Sequence, residues 1–231
     1  MAHYAFPAVL VAVDLALVGA HLLSLTLLGS PPHIANLDVE DSVPTWWASM
    51  QLLCAGVTIG LVALRGIARG RRPVALMLLA AGLVMMSADE VISVHERLGR
   101  LSDAVFGDRA GTAFHLTGLW FVVIGLPALA AIAATMVGCW RSLKSVPGTL
   151  VRLIWGFAIL FLGAIGVEGL TNLLVDEAGY DVPRFMILVA FEEGFELLGG
   201  SLLAWAGVLF LHQHPETRPA FDALAAQGRA G

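Results

Sequence analysis

The sequence predicts an all-α, polytopic membrane protein: a bundle of six transmembrane helices with both termini inside. Three observations carry that prediction. Of 231 residues, 58% are hydrophobic and only 13% are charged, with a mean hydropathy of +0.83. Soluble domains carry roughly 25% charged residues and about 50% apolar ones, so this surplus of apolar surface needs lipid around it. Six apolar stretches reach the roughly 20 residues needed to cross ~30 Å of hydrocarbon. The arginines and lysines fall unevenly between the two sets of linkers, as they do in membrane proteins with a fixed orientation.

The spans follow in order. The first covers Pro7–Gly29 and ends at Ser30-Pro31-Pro32. Its leader, MAHYAFP, has neither a basic n-region nor a small-residue cleavage site, which predicts a retained helix. Trp46–Arg65 and Val74–Glu96 come next, separated by Gly70 and Pro73. Gly107 to Gly111 precede Thr112–Cys139; Pro147-Gly148 precede Thr149–Val175; Gly179 to Pro183 precede Phe185–His212. Glycine and proline in these positions break helices. Residues 1–212 therefore read as one transmembrane domain, and 213–231 as a short polar cytoplasmic tail expected to be disordered. Cys54 and Cys139 fall at opposite ends of their predicted helices, and a disulfide needs Cα atoms within ~7 Å, so both are expected to be free.

With the N-terminus inside, nine basic residues fall on the cytoplasmic side and four outside. That bias predicts N-in/C-in in a bacterial-type cytoplasmic (inner) membrane. Trp46-Trp47 is then expected at the outer interface. The one basic run, Ala68-Arg69-Gly70-Arg71-Arg72, in a chain of net charge −5, argues against nucleic acid as a partner.

Eight of the 18 acidic residues lie within the spans: Asp14, Asp89, Glu90, Glu96, Glu168, Glu192, Glu193 and Glu196. His21, His95, His115 and Asn172 join them, and no Lys or Arg lies in the middle of a span. A charged carboxylate at the centre of a bilayer costs at least ~2.5 kcal/mol, so eight are not incidental. At 1.5 Å per residue, Glu192 and Glu168 lie ~10 Å below the outer ends of their spans, with Asp89 and Glu90 at similar depth and His21 at ~12 Å. Helical phase places Asp89, Ser93 and Glu96 on one stripe, and Glu192 with Glu196 on another. Glu168 and Asn172 are an i,i+4 pair; Asp14 and His21 are an i,i+7 pair, with Asp14 the deepest acid. Gly163, Gly166, Gly169, Gly194, Gly199 and Gly200 would let the last two helices approach closely.

Carboxylates gathered in low dielectric take up protons or bind a cation. Imidazole and carboxylate together suit Fe, Mn and Zn. The ligand inventory is similar to that of the carboxylate-bridged two-metal sites of four-helix bundles, although Glu193-x-x-Glu196 carries no histidine. The leading expectation is a membrane-embedded site for divalent metal ion(s), with Asp89, Glu90, Glu168, Glu192, Glu193, Glu196 and His21 as ligands and Glu96 and His95 as catalytic groups. Its substrate would be a lipid or another apolar small molecule. The rival expectation is a cation- or proton-coupled transporter whose path adds Asp14, Asn172 and His115. A third is a non-catalytic subunit of a membrane complex, a homo-oligomer among them, or a haem carrier using His21 and His115. Plainer roles exist as well: His95 and Glu96 could end a helix beside Arg97 and Arg100, and His115 could face headgroups. Motifs of serine hydrolases, zincins, phosphate-binding loops and membrane desaturases are missing from the sequence.

Overall fold

The computed structural model describes residues 2–94, 97–98, 124–175 and 182–227. Every element in those residues is helical. In chain order they are α1 (Ala2–Leu28), α2 (Val43–Ala68), α3 (Val74–Ile92), α4 (Leu126–Gly138), α5 (Trp140–Lys144), α6 (Thr149–Phe161), α7 (Glu168–Leu174), α8 (Val182–Gln213) and α9 (Arg218–Gln227). A short 3-10 turn, His33–Ala35, lies between α1 and α2, and a π turn, Leu162–Val167, joins α6 to α7.

Five helices are long and apolar enough to cross a membrane: Ala5–Leu28, Val43–Ala68, Val74–Ile92, Thr149–Leu174 and Val182–Gln213. Of the sixth expected span, residues 112–123 lie outside the described residues, and the rest carries the 13-residue apolar helix α4. Many exposed side chains along the spans are apolar, among them Leu15, Leu23 and Leu27 on α1 and Val57, Leu61 and Leu64 on α2.

Local chemistry sets the ends. Ser42 caps α2 by accepting the Thr45 N–H at 3.3 Å, followed by Pro44 in the first turn, a position where the missing proline N–H costs nothing. At the other end of α2, Gly70 takes a positive φ of 77° while Arg71 N–H returns to Gly66 O at 3.0 Å, the left-handed helix stop that glycine favours. The expected third span stops early. Ser93 adopts a left-handed φ of 53°, and its N–H closes on Asp89 O at 2.7 Å. Of the predicted stripe of Asp89, Ser93 and Glu96, Ser93 ends the helix that carries Asp89, and Glu96 lies outside the described residues. The expected span Thr149–Val175 forms a helix over Thr149–Leu174 that widens into the π turn at Leu162–Val167.

Helix α8 is the hub, packed against α1, α2, α6, α7 and α9. The main core joins α2, α3, α6 and α8 through Leu52, Ile59, Leu83, Leu153, Leu203 and Phe210. The α6–α8 crossing is close because glycine meets main chain. A Cβ on Gly199 would lie 2.7 Å from both Gly156 O and Leu160 N, well inside van der Waals contact. Between α2 and α3, the Ser49 hydroxyl donates to Ser87 O and the Ser87 hydroxyl to Ser49 O, each at 2.8 Å. Cys54 and Cys139 are both free.

The tail after Gln213, expected to be disordered, folds back and continues into α9. His214, Glu216 and Thr217 are buried. Glu216 pairs with Arg69 and, at 2.5 Å, with Arg71. Arg69 at its carboxyl holds Glu216 below the ordinary range. His214 Nδ1 accepts the Glu216 N–H at 3.2 Å, which leaves Nε2–H to donate to Ser142 Oγ at 3.2 Å. Burial pushes the His214 imidazole down in pKa, so its neutral form is favoured. Polar partners supplied by the α2–α3 linker and α5 explain why a polar tail is ordered here.

Candidate functional site

Among the described residues, acidic side chains lie within the bundle at two places. The first holds six of the acids expected to form a layer, here called the acid layer. Helix α8 supplies Glu192, Glu193 and Glu196, all half-buried. Helix α3 supplies Asp89 and Glu90 in its last turn, just before the left-handed Ser93. Glu168 opens α7 directly after the π turn. The π turn reaches α8 at these acids: a Cβ on Gly163 would lie 2.6 Å from Glu192 O and 2.9 Å from Glu196 Cγ. Glycine at this point is what allows Glu168 to come near.

The charges interact. Glu196 has Glu193, Glu90, Glu192 and Glu168 as electrostatic neighbours. Glu193 has Glu90 and Glu192, and also Glu40 and Asp38 from the α1–α2 linker. Asp38 and Glu40 are not among the acids within the spans, and their approach depends on how the linker folds over the bundle. Among the described residues, no group of three or more His, Cys, Asp or Glu side chains is arranged to hold a metal ion. Expected members His95, Glu96 and His115 lie outside the described residues.

His21 does not join the acids. It is fully buried. Its Nδ1 accepts the Leu37 N–H at 3.1 Å, so Nε2 carries the proton and donates to Met186 O at 3.1 Å. Both ring nitrogens are used in tying α1 to the linker and to α8. In this arrangement neither is open to a metal ion or to haem iron.

Asn172, the i,i+4 neighbour of Glu168, donates its amide to the main-chain carbonyl of that residue at 3.0 Å.

The second centre surrounds Asp14, which is 4% exposed. Its Oδ1 accepts from Trp47 Nε1 and from Gln51 Nε2, each at 2.8 Å. Its Oδ2 accepts from Ser201 Oγ at 2.5 Å. Gln51 Nε2 also donates to Ser201 Oγ at 2.9 Å, so the three donors form a connected network across α1, α2 and α8. Trp47 was expected at the membrane interface beside Trp46. Instead Trp46 is 57% exposed and Trp47 points inward to a carboxylate. The missed signal was the i,i+4 spacing of Trp47 and Gln51, two uncharged polar side chains on one face of α2. Asp14 and His21, expected as a pair, serve separate networks.

A family defined by a domain of unknown function, DUF8692, matches residues 4–212. The chain belongs to the DUF8692 family. No curated protein and no solved structure matches it. The DUF8692 match takes in both the acid layer and the Asp14 network and stops short of His214 and Glu216.

Proposed function

We propose that this chain is an integral membrane protein whose acid layer takes up protons or cations and passes them through the outer half of the bilayer. The orientation in this reading is N-in/C-in, in a bacterial-type cytoplasmic membrane. The observation that carries it is the set of carboxylates around Glu196, drawn from α3, α7 and α8. Like charges brought together in low dielectric favour proton or cation uptake. Two further features support a path over a closed site. The helix that delivers Glu90 ends three residues later at the left-handed Ser93, and the helix that delivers Glu168 widens into a π turn just before it. Interrupted helices are a recurrent device at ion sites of transporters, and π turns recur at functional sites. Asp38 and Glu40 extend the acids from the bundle towards the α1–α2 linker, which supplies an approach from one rim.

The test is flux in proteoliposomes. Proton or divalent-cation movement under an imposed gradient should be present in the wild type and abolished in Glu193→Gln and Glu196→Gln. Absence of both fluxes in folded, reconstituted protein would overturn this reading.

The same inventory of five glutamates favours a second reading: a metal-dependent enzyme acting on a lipid or other apolar substrate, alone or as a subunit of a membrane complex. Glu90, Glu168, Glu192, Glu193 and Glu196, with Asp89, are the ligands in that reading. It needs donors beyond those described, for which the sequence offers His95, Glu96 and His115. A bound Fe, Mn or Zn ion would there activate water. Elemental analysis of protein purified in mild detergent tests it, and lack of any stoichiometric metal removes it.

A further inference from the structure

The end of the bundle away from the acid layer holds a cavity of about 940 Å3. It lies between the last turns of α2, the first turn of α3, and the end of α4 with α5. These are the termini of the apolar segments, which in the membrane reading proposed above meet the headgroups. Its walls are of two kinds. Val74, Val137 and Trp140 are apolar, while Arg71, Arg72 and Arg141 bring positive charge.

The charges do not cancel. The acid in the wall, Glu216, is held by Arg71 together with Arg69. Burial favours the neutral form of His214. Arg72 and Arg141 have no ion pair among the described residues, and Lys144 adds a cation 4.9 Å from the Trp140 ring. The cavity thus presents two uncommitted guanidinium groups beside a greasy wall. Guanidinium groups match phosphate geometry through paired N–H donors, and an apolar wall suits methylene chains.

We propose that this cavity binds an anionic phospholipid, with Arg72 and Arg141 on the headgroup phosphate and Val74, Val137 and Trp140 against the upper part of its chains. Basic pockets between helices at this membrane level take anionic headgroups. A zwitterionic lipid would bring its own cation towards the arginines and bind less well.

The experiment uses the full chain in neutral detergent, titrated with dioctanoyl phosphatidylglycerol and read by native mass spectrometry. A one-to-one adduct is expected. The double variant Arg72→Gln/Arg141→Gln should bind roughly 30-fold more weakly, about fivefold for either single change. Arg65→Gln, at the same end but outside the cavity, should stay within about twofold. Should the double variant fail to fold, the single variants carry the test. Wild-type affinity in the arginine variants would overturn the proposal. So would equal binding of dioctanoyl phosphatidylcholine, or equally tight binding of inorganic phosphate, which would mark a site for small soluble anions.

Discussion

The indole N–H of Trp47 donates to the buried carboxylate of Asp14 at 2.8 Å, which fixes the start of α2 against α1. Gln51 and Ser201 complete the set of donors. Removing the acceptor leaves the Trp47 N–H unpaired and takes one bond from each of Gln51 and Ser201. Asp14→Ala should therefore destabilise the protein by about 3 kcal/mol or more, because buried unpaired donors cost ~1–3 kcal/mol each. Asp14→Asn keeps an oxygen for Trp47 and Gln51 and turns an amide N–H towards the Ser201 oxygen, so its cost should be about 1 kcal/mol. Thermal unfolding in detergent, followed by tryptophan fluorescence, distinguishes the two. Equal losses would mean that the network does not hold these helices.

His21 is expected to behave as a structural strap. His21→Phe leaves the Leu37 N–H without its acceptor and should cost about 1–3 kcal/mol. Whatever metal or flux the wild type shows should survive in the folded fraction of that variant. Loss of bound metal with unchanged stability would return His21 to the ligand set.

The glycines at the α6–α8 crossing make a graded test. Gly199→Ala forces a methyl group against Gly156 O and Leu160 N and should cost about 1–3 kcal/mol, as overpacking does. Gly163→Ala pushes the π turn away from Glu192 and Glu196 and should lower flux as well as stability. Gly82, in α3, has nothing within 4 Å of an added Cβ. Gly82→Ala should be neutral or stabilising by up to ~1 kcal/mol. Melting temperatures in one detergent rank the three.

Docking of the tail should weaken in acid. His214 has its pKa lowered from 6.5 by burial, so the undocked tail takes up a proton more readily than the docked one. That contribution is complete above pH 6.5 and fades as pH falls below it. Glu216 has its pKa lowered from 4.5, chiefly by Arg69. Its contribution is complete above pH 4.5 and is lost as pH falls through the docked value. Hydrogen exchange over residues 214–227, corrected for intrinsic rates, should therefore quicken in two stages on acidification. Glu216→Gln should quicken it already at pH 8 and remove the lower stage.

Much of the fold was legible because it follows from apolar runs and from breakers. Gly29, Gly70 and Gly148 all take positive φ at helix boundaries, and their positions are plain in the sequence. The glutamates of α3, α7 and α8 were visible as apolar-span acids, and Glu90, Glu168, Glu192 and Glu193 are all electrostatic neighbours of Glu196. The illegible features depend on contacts between segments. Ser93 gives no sequence sign that it will end α3, because serine seldom adopts a left-handed φ. The partner of His21 is the main-chain N–H of Leu37, and a peptide group leaves no mark in a pattern of side chains. Trp47 and Trp46 differ by one residue, about 100° on a helix, and only packing decides which turns inward. His214 and Glu216 looked like solvated tail until Arg69, Arg71 and Ser142 were seen around them.

The π turn at Leu162–Val167 has one more consequence. A π turn holds one residue more than an α turn, so deleting a single residue there would let the helix run on without a break. The wide turn absorbs that residue, so the helix beyond would keep its facing and lose only the bulge that lies against Glu192 and Glu196. The aim of Glu168 depends on chain length where no such turn is present: one residue inserted into the regular helix α6 would carry that carboxylate about 100° around the helix axis while leaving its charge untouched.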